Sequence, residues 1–300
     1  MGEKAQRSTS VAAMQKGLSC LETEESDERG RAFQPKSTDV IISPYAKSGT
    51  TWLQQMVHSL RTRGRMDFRE ITEVVPGLER AYDLGLDIEA AQQGILRAYK
   101  SHMSWSEIPK GGKYIYSIRN PKDVVVSFYR FFEGWHFEPG SISLREFSDE
   151  FFFEREIEYN YWAHIASWWP ERDNPDVLIL CFEDMKTNLP DAVRKVADFI
   201  GVALDDELFE IALKHSSYEF MKQHEQQFND ALMRELGEEK CGILKGANSS
   251  KVRVGQTNTY KQELPADVAA LMDKNWREQI GTRFGLETYE QMRAVLKNEG

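Results

Sequence analysis

The sequence contains no apolar stretch near the roughly 20 residues that a membrane-spanning helix needs. Its first residues, Met1 to Gln6, lack the hydrophobic run of a signal peptide. The N-terminal myristoylation pattern also fails, because Gln6 stands where serine or threonine is required. Since these signals for membrane insertion, secretion and lipid attachment are missing, we expect a cytoplasmic protein with no membrane partner.

Cysteine is scarce, with three residues of this type in a chain of 300. Three widely separated cysteines do not suggest a disulfide framework or a zinc site, and they suit a reducing compartment. We therefore expect Cys20, Cys181 and Cys241 to be structural thiols, and we expect no bound metal.

Positive charge is in deficit, because 38 lysines and arginines face 48 aspartates and glutamates, giving a net charge of -10. This balance argues against nucleic acid as a partner. It does not exclude a locally positive pocket. Apolar residues make up 41% of the chain, which is typical of a globular protein and too many for a disordered one.

Two segments are expected to be irregular. Residues 1–35 are polar, carry the acidic run Glu22 to Glu28 and show little hydrophobic periodicity, which predicts a mobile leader. Residues 36–300 are expected to form a single domain, as α/β chains of this length commonly do. Within it, residues 225–262 are polar, lack strong periodicity and contain four glycines. This composition is typical of a long functional loop, and we expect it to form a lid that covers a site.

Strand, turn and helix alternate in the first half of the chain. The segment from Asp39 to Tyr45 is short, apolar and β-branched, as buried parallel strands are. The same pattern recurs at 113–118, and further strands are predicted at 95–101 and 177–182. This alternation predicts an α/β fold, a three-layer sandwich with a central parallel sheet, in which ligands bind beyond the carboxyl ends of the strands.

The turn at residues 45–52 carries the strongest chemical signal. It places successive backbone N–H groups at the start of a predicted helix, and Gly49 lets an anion approach closely, so we interpret it as a P-loop-like phosphate-binding turn. An ATP-binding Walker motif would have lysine in place of Thr50 and glycine in place of Pro44. Lys47 precedes the glycine instead. An ATP-dependent kinase is thereby weakened, and a nucleotide-binding protein without activity is the third alternative.

The order Lys-Ser-Gly-Thr-Thr-Trp at 47–52, after an apolar strand, resembles the cytosolic type of sulfotransferase that uses 3′-phosphoadenylyl sulfate (PAPS). The resemblance extends over residues 39–284. Four further segments are similar to family elements and follow in the family's order: 99–102 to the element with the catalytic base, 119–127 to the 3′-phosphate segment, 182–186 to a segment near the adenine, and, in degraded form, 253–261 to a second 3′-phosphate segment.

The resemblance implies transfer of a sulfuryl group from PAPS to a hydroxyl or amine of a small-molecule acceptor by in-line displacement, releasing 3′-phosphoadenosine 5′-phosphate (PAP). It implies His102 as general base, since an unperturbed pKa of about 6.5 suits that task. Lys47 would neutralise the bridging oxygen, Lys100 would contact the sulfuryl group, and Ser127 would hold Lys47 away until the acceptor binds. The implied donor-binding residues are Lys47, Ser48, Gly49, Thr50, Thr51, Trp52, Arg119, Ser127, Phe182, Ser216, Tyr218, Arg253, Val254 and Gly255.

Several points stay open at this level. Phe182 replaces a tyrosine and Ala46 a proline of the family pattern. The family's dimer element is not visible, so a homodimer is neither predicted nor excluded. The acceptor is unspecified, because the segments expected to line its site, 66–86, 131–138 and 228–251, combine aromatic residues that favour a flat apolar molecule with glutamates that favour a cationic one.

Two further residues have structural alternatives. Glu183 follows a strand, where a carboxylate is expected to fix neighbouring loops. Arg119 could pair with Asp123 or Glu133 at a helix start instead of binding a phosphate.

Overall fold

A computed structural model describes residues 7–154, 160–245, 250–252 and 255–299. Its centre is a parallel sheet of β1 (Val40–Ile42), β2 (Ala98–Lys100), β3 (Lys113–Ile118) and β4 (Val177–Cys181), in the order β2-β1-β3-β4. The chain leaves β1 toward β2 on one side and then crosses to β3 on the other. The strand order therefore switches at β1, and such a switch point is where open parallel sheets bind ligands.

Helices surround this sheet. None of those in the described part of the chain is long and apolar enough to cross a membrane. Shorter 3-10 or π-helical turns lie at 19–21, 71–73, 148–152, 169–173, 225–228 and 277–281. The α-helices, in chain order, are α1 (Val11–Leu18), α2 (Glu24–Arg31), α3 (Thr50–Thr62), α4 (Pro121–Trp135), α5 (Leu144–Phe147), α6 (Tyr161–Trp168), α7 (Phe182–Thr187), α8 (Leu189–Ile200), α9 (Asp206–His215), α10 (Tyr218–Gln223), α11 (Ala231–Lys240), α12 (Tyr260–Glu263), α13 (Ala266–Trp276), α14 (Thr282–Phe284) and α15 (Tyr289–Glu299).

Both faces of the sheet are covered. Side chains alternate between the faces of a strand, and in β1 the central Ile41 enters one hydrophobic core while Val40 and Ile42 enter another. Helices α4 and α6 contribute to the first core, and α3 and α8 to the second. The predicted α/β architecture with a central parallel sheet is confirmed, and burial on both sides explains why its strands are continuously apolar.

The described residues before 36, where the sequence predicted a mobile leader, form two helices. Helix α1 begins where the Ser10 side chain accepts a hydrogen bond from a backbone N–H, and its Val11 and Met14 are buried in the first core. Helix α2 has an unusual inner face, because Ser26 and Gly30 are its buried residues. A Cβ on Gly30 would lie 2.5 Å from a backbone oxygen of Leu78. Because this helix packs through small residues, its sequence shows no apolar periodicity from which a helix could be predicted.

The segment 225–262 is also more regular than expected. A 3-10 turn at 225–228 leads into the ten-residue helix α11, whose Met233 and Leu236 point into the protein. One apolar pair at helical spacing is too little to predict a helix from the sequence. The described part of this segment nevertheless borders the cavity described below. We refer to residues 225–262 as the lid segment.

The prediction of three free thiols is wrong for two of them. Cys20, just after α1, and Cys241, just after α11, form a disulfide with a Cα separation of 5.8 Å. The two cysteines are 221 residues apart in the sequence, so no local spacing indicates that they pair. Cys181 remains a buried thiol at the end of β4. The disulfide therefore joins the N-terminal helices to the lid segment.

Helix α1 can be tested as part of the core. Replacing Met14, which is fully buried, with alanine should lower the free energy of unfolding by about 2 to 5 kcal/mol, the usual effect of a large-to-small change in a core. The matched variant Lys16→Ala, at an exposed position of the same helix, should change it by less than about 0.5 kcal/mol. Urea denaturation measures both. Equal stability of the two variants would show that the leader is detached after all.

Candidate active site

A cavity of about 910 Å³ opens at the carboxyl ends of the strands. It brings together most residues that the sequence singled out. Ser48 is not among the lining residues, and Arg253 and Val254 lie outside the described residues. The predicted residues that line the cavity are Lys47, Gly49, Thr50, Thr51, Trp52, Lys100, His102, Arg119, Ser127, Phe182, Ser216, Tyr218 and Gly255.

The turn after β1 has a specific backbone conformation. Lys47 and Gly49 both have positive φ, 69° and 106°, a region that glycine tolerates and most other residues avoid. The N–H of Ser48 donates to the carbonyl oxygen of Tyr45 at 3.1 Å, so this amide is already engaged. The first helical hydrogen bond runs from the Leu53 N–H to the Gly49 carbonyl oxygen. The amides of residues 49–52 are therefore the ones presented at the positive end of α3.

Several polar atoms around this turn are buried without a hydrogen-bond partner among the described residues. They include the hydroxyl oxygens of Thr50 and Ser216 and the Nε of Arg119. An unsatisfied buried donor or acceptor costs about 1 to 3 kcal/mol. Protein structures keep such groups where a ligand satisfies them. The site thus has the hydrogen-bonding capacity that an anionic nucleotide requires.

Arg119, at the end of β3, is fixed by the turn and by an aromatic ring. Its Nη1 donates to the carbonyl oxygen of Lys47 at 2.8 Å, and its guanidinium carbon lies 4.3 Å from the centre of the Phe182 ring. Burial lowers its pKa, and Asp123 opposes that shift. The alternative pairing with Glu133 is not present, because Glu133 accepts from Arg130 at 2.6 Å. Arg119 therefore keeps part of its guanidinium for a ligand.

Asp123, one turn further along α4, anchors the end of the lid segment. Its carboxylate is buried and accepts hydrogen bonds from the N–H of Asn258 at 2.7 Å, the hydroxyl of Thr259 at 3.2 Å and the N–H of Tyr260 at 3.2 Å. Ser127 follows Asp123 by four residues within α4, so these two share one face of the helix. The anchor holds the part of the lid that follows Gly255 against this face.

Aromatic rings form the other end of the cavity. The indole N–H of Trp52 donates to the carbonyl oxygen of Ser216 at 2.7 Å, and its ring meets Phe182 edge to face at 5.4 Å between centroids. Gly255 has a φ of 60°, and a Cβ there would lie 2.4 Å from the ring of Tyr218. Glycine is required at 255 because no side chain fits against that ring. Trp52 and Tyr218 thus offer flat surfaces at this end.

His102, just beyond β2, has a defined tautomer. Its Nδ1 lies 2.7 Å from the carbonyl oxygen of Pro44, and because a carbonyl oxygen can only accept, Nδ1 carries the hydrogen. The backbone N–H of His102 donates to the carboxylate of Glu79 at 2.5 Å. Burial, and secondarily the charge of Lys100, hold the pKa of His102 well below its usual value. The ring is therefore neutral near pH 7, with Nε2 as a proton acceptor.

Two lysines that line the cavity have depressed pKa values. Burial, followed by repulsion from Lys251, lowers the pKa of Lys47 to about 7 and that of Lys100 to about 8. The ammonium group of Lys47 lies 3.9 Å from the centre of the Phe131 ring. Within the described residues there is no hydrogen bond between Lys47 and Ser127, so in this state the aromatic face holds Lys47, and the predicted restraint by Ser127 is not formed.

The remainder of the cavity is mainly apolar. All three segments expected to line an acceptor site contribute, with Arg80, Phe131 and Met233 as examples. The N-terminal segment adds a wall that the sequence did not predict, including Leu18 and Leu21. Aromatic side chains also line the cavity, and among them Trp135 packs in one cluster with Leu21; they are Phe128, Phe131, Phe132, Trp135 and Phe151.

Sequence reasoning missed three polar residues at the site. Asp230 and Lys251 form an ion pair at the cavity wall. The third residue is His164, whose Nδ1 is hydrogen-bonded to the Tyr116 hydroxyl. The Nε2 of His164 lies 3.0 Å from the His102 carbonyl oxygen. None of the three stands in a recognisable motif. The structural role of Glu183 is confirmed, because it accepts from the Asn120 N–H at 3.1 Å and so fixes the loop after Arg119.

The anchoring role of Asp123 gives a prediction that needs no ligand. Asp123→Ala removes all three hydrogen bonds to residues 258–260, and hydrogen bonds to a charged group contribute about 1.5 to 3 kcal/mol each. Amide hydrogen exchange at Asn258 and Tyr260 should accelerate about tenfold or more, while the amides of α3 stay protected. The control Asp273→Ala removes an exposed carboxylate that pairs with Lys122 of the same helix. If both variants exchanged like the parent at 258–260, Asp123 would not be the anchor.

Comparisons with known proteins agree with this geometry. The sequence matches the family model described as "Sulfotransferase domain" over residues 37–284. Sulfotransferase 1E1 of Bos taurus is 30% identical over 262 residues, covering 83% of this chain and 85% of that protein. Luciferin sulfotransferase of Photinus pyralis is 29% identical over 294 residues, covering 87% and 77%.

Solved structures share the fold. Mouse sulfotransferase SULT7A1, complexed with PAP, superposes with a TM-score of 0.67 at 18% identity and covers 93% of this chain and 94% of its own. Retinol dehydratase in complex with androsterone and PAP gives a TM-score of 0.67 at 20% identity, covering 89% and 85%. The family match over most of the chain settles the class. This chain belongs to the sulfotransferase domain family, and it is an enzyme of the sulfotransferase class, which uses PAPS as sulfuryl donor.

Proposed function

We propose that this enzyme transfers the sulfuryl group of PAPS to a hydroxyl or amine of a small, largely apolar acceptor, with His102 as general base and PAP as the released product. One observation carries the proposal: a helix-terminal anion site, two lysines with lowered pKa and a neutral imidazole face the same cavity. An in-line displacement requires donor orientation, charge neutralisation and proton removal. The anion site, the two lysines and the imidazole would supply these in that order.

The donor residues follow from the unsatisfied polar groups. The amides of residues 49–52 and the hydroxyls of Thr50 and Thr51 would hold the 5′-phosphate at the N-terminus of α3. Arg119, Ser127 and the Gly255 backbone would hold the 3′-phosphate, with Arg253 and Val254 as the predicted contacts outside the described residues. The remaining donor contacts of the proposal are Trp52, Phe182, Ser216 and Tyr218, around the adenine. Ser48 would contribute its hydroxyl, which is buried without a hydrogen-bond partner among the described residues, since its amide is engaged by Tyr45.

The two lysines supply charge where the reaction develops it. As the acceptor attacks sulfur, the bond from sulfur to the bridging oxygen breaks, and negative charge accumulates on the departing phosphate. Lys47 would stabilise that oxygen, and Lys100 the sulfuryl oxygens. Both ammonium groups have low pKa values in the absence of an anion. A bound anion favours their charged forms and raises those values again.

His102 would remove the acceptor proton at Nε2. The proton on Nδ1 is held by the Pro44 carbonyl oxygen, which fixes the ring and stabilises the imidazolium that forms. The low pKa of His102 keeps Nε2 unprotonated at neutral pH. Protonation of the ring becomes favourable only as the acceptor gains positive character during attack. This order of events is that of a general base that acts in the transition state.

The acceptor class follows from the walls. Five aromatic rings together with Leu18, Leu21 and Met233 favour a molecule with an apolar skeleton. Androsterone and retinol, which retinol dehydratase binds in its complexes, are of this kind. Arg80 and Glu22, which form an ion pair at the cavity wall, would suit a polar group at its far end. A cytoplasmic location also belongs to this proposal.

The role of His102 is tested by substitution. His102→Ala should reduce turnover of PAPS with an aromatic alcohol about 100-fold or more, because general base catalysis contributes 10² to 10⁴. PAP affinity should stay within about threefold, since the ring contacts the acceptor side. The control His224→Asn alters a histidine outside the cavity lining and should leave both values unchanged. Full turnover in His102→Ala would rule out this base.

The lysine pKa values give a pH prediction. At pH 8, Lys47 is mostly neutral and Lys100 about half protonated, given pKa values of about 7 and about 8. The anion raises both values, so PAP binding at pH 8 should take up protons, and PAP affinity should fall between pH 7 and pH 9. Titration calorimetry in buffers of different ionisation enthalpy measures the uptake. PAP binding to the Lys47→Met variant should take up fewer protons than binding to the parent. A binding heat that did not depend on the buffer at pH 8 would contradict the lowered pKa values of the two lysines.

A further inference from the structure

A third lysine, Lys251, lines the cavity from the lid segment. Lys251 forms an ion pair with Asp230, and both side chains line the cavity with only 14% and 9% of their surface exposed. Asp230 has a positive φ of 52°, which residues other than glycine adopt at a cost and which clusters at functional sites. The pair is therefore built into the lid with a defined geometry.

The charge around this pair is unbalanced. After burial, Lys251 is the strongest influence that lowers the pKa of Lys47 and of Lys100, so the three ammonium groups repel one another. Asp230 lies among them with its pKa lowered to about 2, and is therefore ionised. The nearby carboxyl of Glu70 is buried, and burial raises its pKa. Asp230 is the carboxylate that pairs directly with Lys251, and an anion in the cavity would relieve the repulsion among the three ammonium groups.

We propose that Lys251 is a third cationic contact for the transferring sulfuryl group, and that Asp230 is the positioning residue that aims it. The inference rests on the proposed function. An ammonium group has three N–H donors, and the ion pair with Asp230 needs only one of them. The others can meet sulfuryl oxygens at the time when Lys47 and Lys100 act on the bridging and sulfuryl oxygens. The lid segment thereby supplies part of the reaction centre as well as covering it.

PAP and PAPS together separate this role from a structural one. PAP lacks the sulfuryl group, so Lys251→Met should weaken PAPS binding at least fivefold more than PAP binding. With PAPS and 2-naphthol, kcat should fall about 100-fold, the usual effect of removing one donor from a developing charge. Lys251→Arg should recover part of kcat, since it keeps the charge. Asp230→Asn should lower kcat less than Lys251→Met, because it removes the partner but leaves the ammonium group.

The chain offers a matched control. Lys222 belongs to α10, and its ammonium group contacts Glu225 and the carbonyl oxygen of Val252 in the lid, with 42% of the side chain exposed. Lys222→Met should leave kcat and the PAPS preference unchanged. Thermal unfolding of each variant verifies that the fold is retained. If Lys251→Met bound PAP and PAPS with equal losses and kept its kcat, the residue would only secure the lid.

The two proposals fail in different ways. If the parent protein bound PAPS but sulfated no acceptor, the proposed function would be wrong. The comparison of PAPS with PAP affinity would still decide the role of Lys251. If the parent protein were active and the Lys251 variants behaved like Lys222→Met, only the further inference would be overturned.

Discussion

The structure depends on keeping several positive charges close together around one cavity. Lys47, Lys100, Lys251 and Arg119 all border one cavity, and burial lowers the pKa of Lys47, Lys100 and Arg119. Burying like charges is unfavourable unless an opposite charge compensates them. Asp230 compensates part of that charge. The remaining positive charge is what the phosphate and sulfuryl groups of PAPS would compensate in the proposed reaction.

Such a cluster holds together only because its scaffold is rigid. The turn at Lys47 is fixed from behind by the Arg119 guanidinium, and Arg119 is in turn stacked on Phe182. Glu183 and Asp123 then secure the loop after β3 and the end of the lid. Both carboxylates accept hydrogen bonds from backbone N–H groups and also favour the charged form of Arg119. They therefore hold the loops and stabilise one cation of the cavity at the same time.

The sheet and the turn could be predicted from the sequence because their signals are local. A buried strand, a glycine with positive φ and a following helix occupy fewer than 25 consecutive residues, from Asp39 to Thr62. Asp230 and Lys251 could not be found in this way, since they are 21 positions apart in the sequence and belong to no motif. Helix α2 could not be predicted for a different reason. Its buried face consists of the small residues Ser26 and Gly30, which give no apolar periodicity.

The disulfide connects the two parts of the molecule that the sequence treated as loose. Cys20 follows α1, whose end supplies Leu18 to the acceptor wall, and Cys241 follows α11. Helix α11 begins directly after Asp230, so one rigid element leads from the disulfide to the residue that holds Lys251. Leu18 at the cavity wall and the Asp230 that pairs with Lys251 are thereby placed on one covalently connected unit. In the reaction proposed above, fixing that unit would orient acceptor and donor relative to each other, which is the main requirement of an in-line transfer.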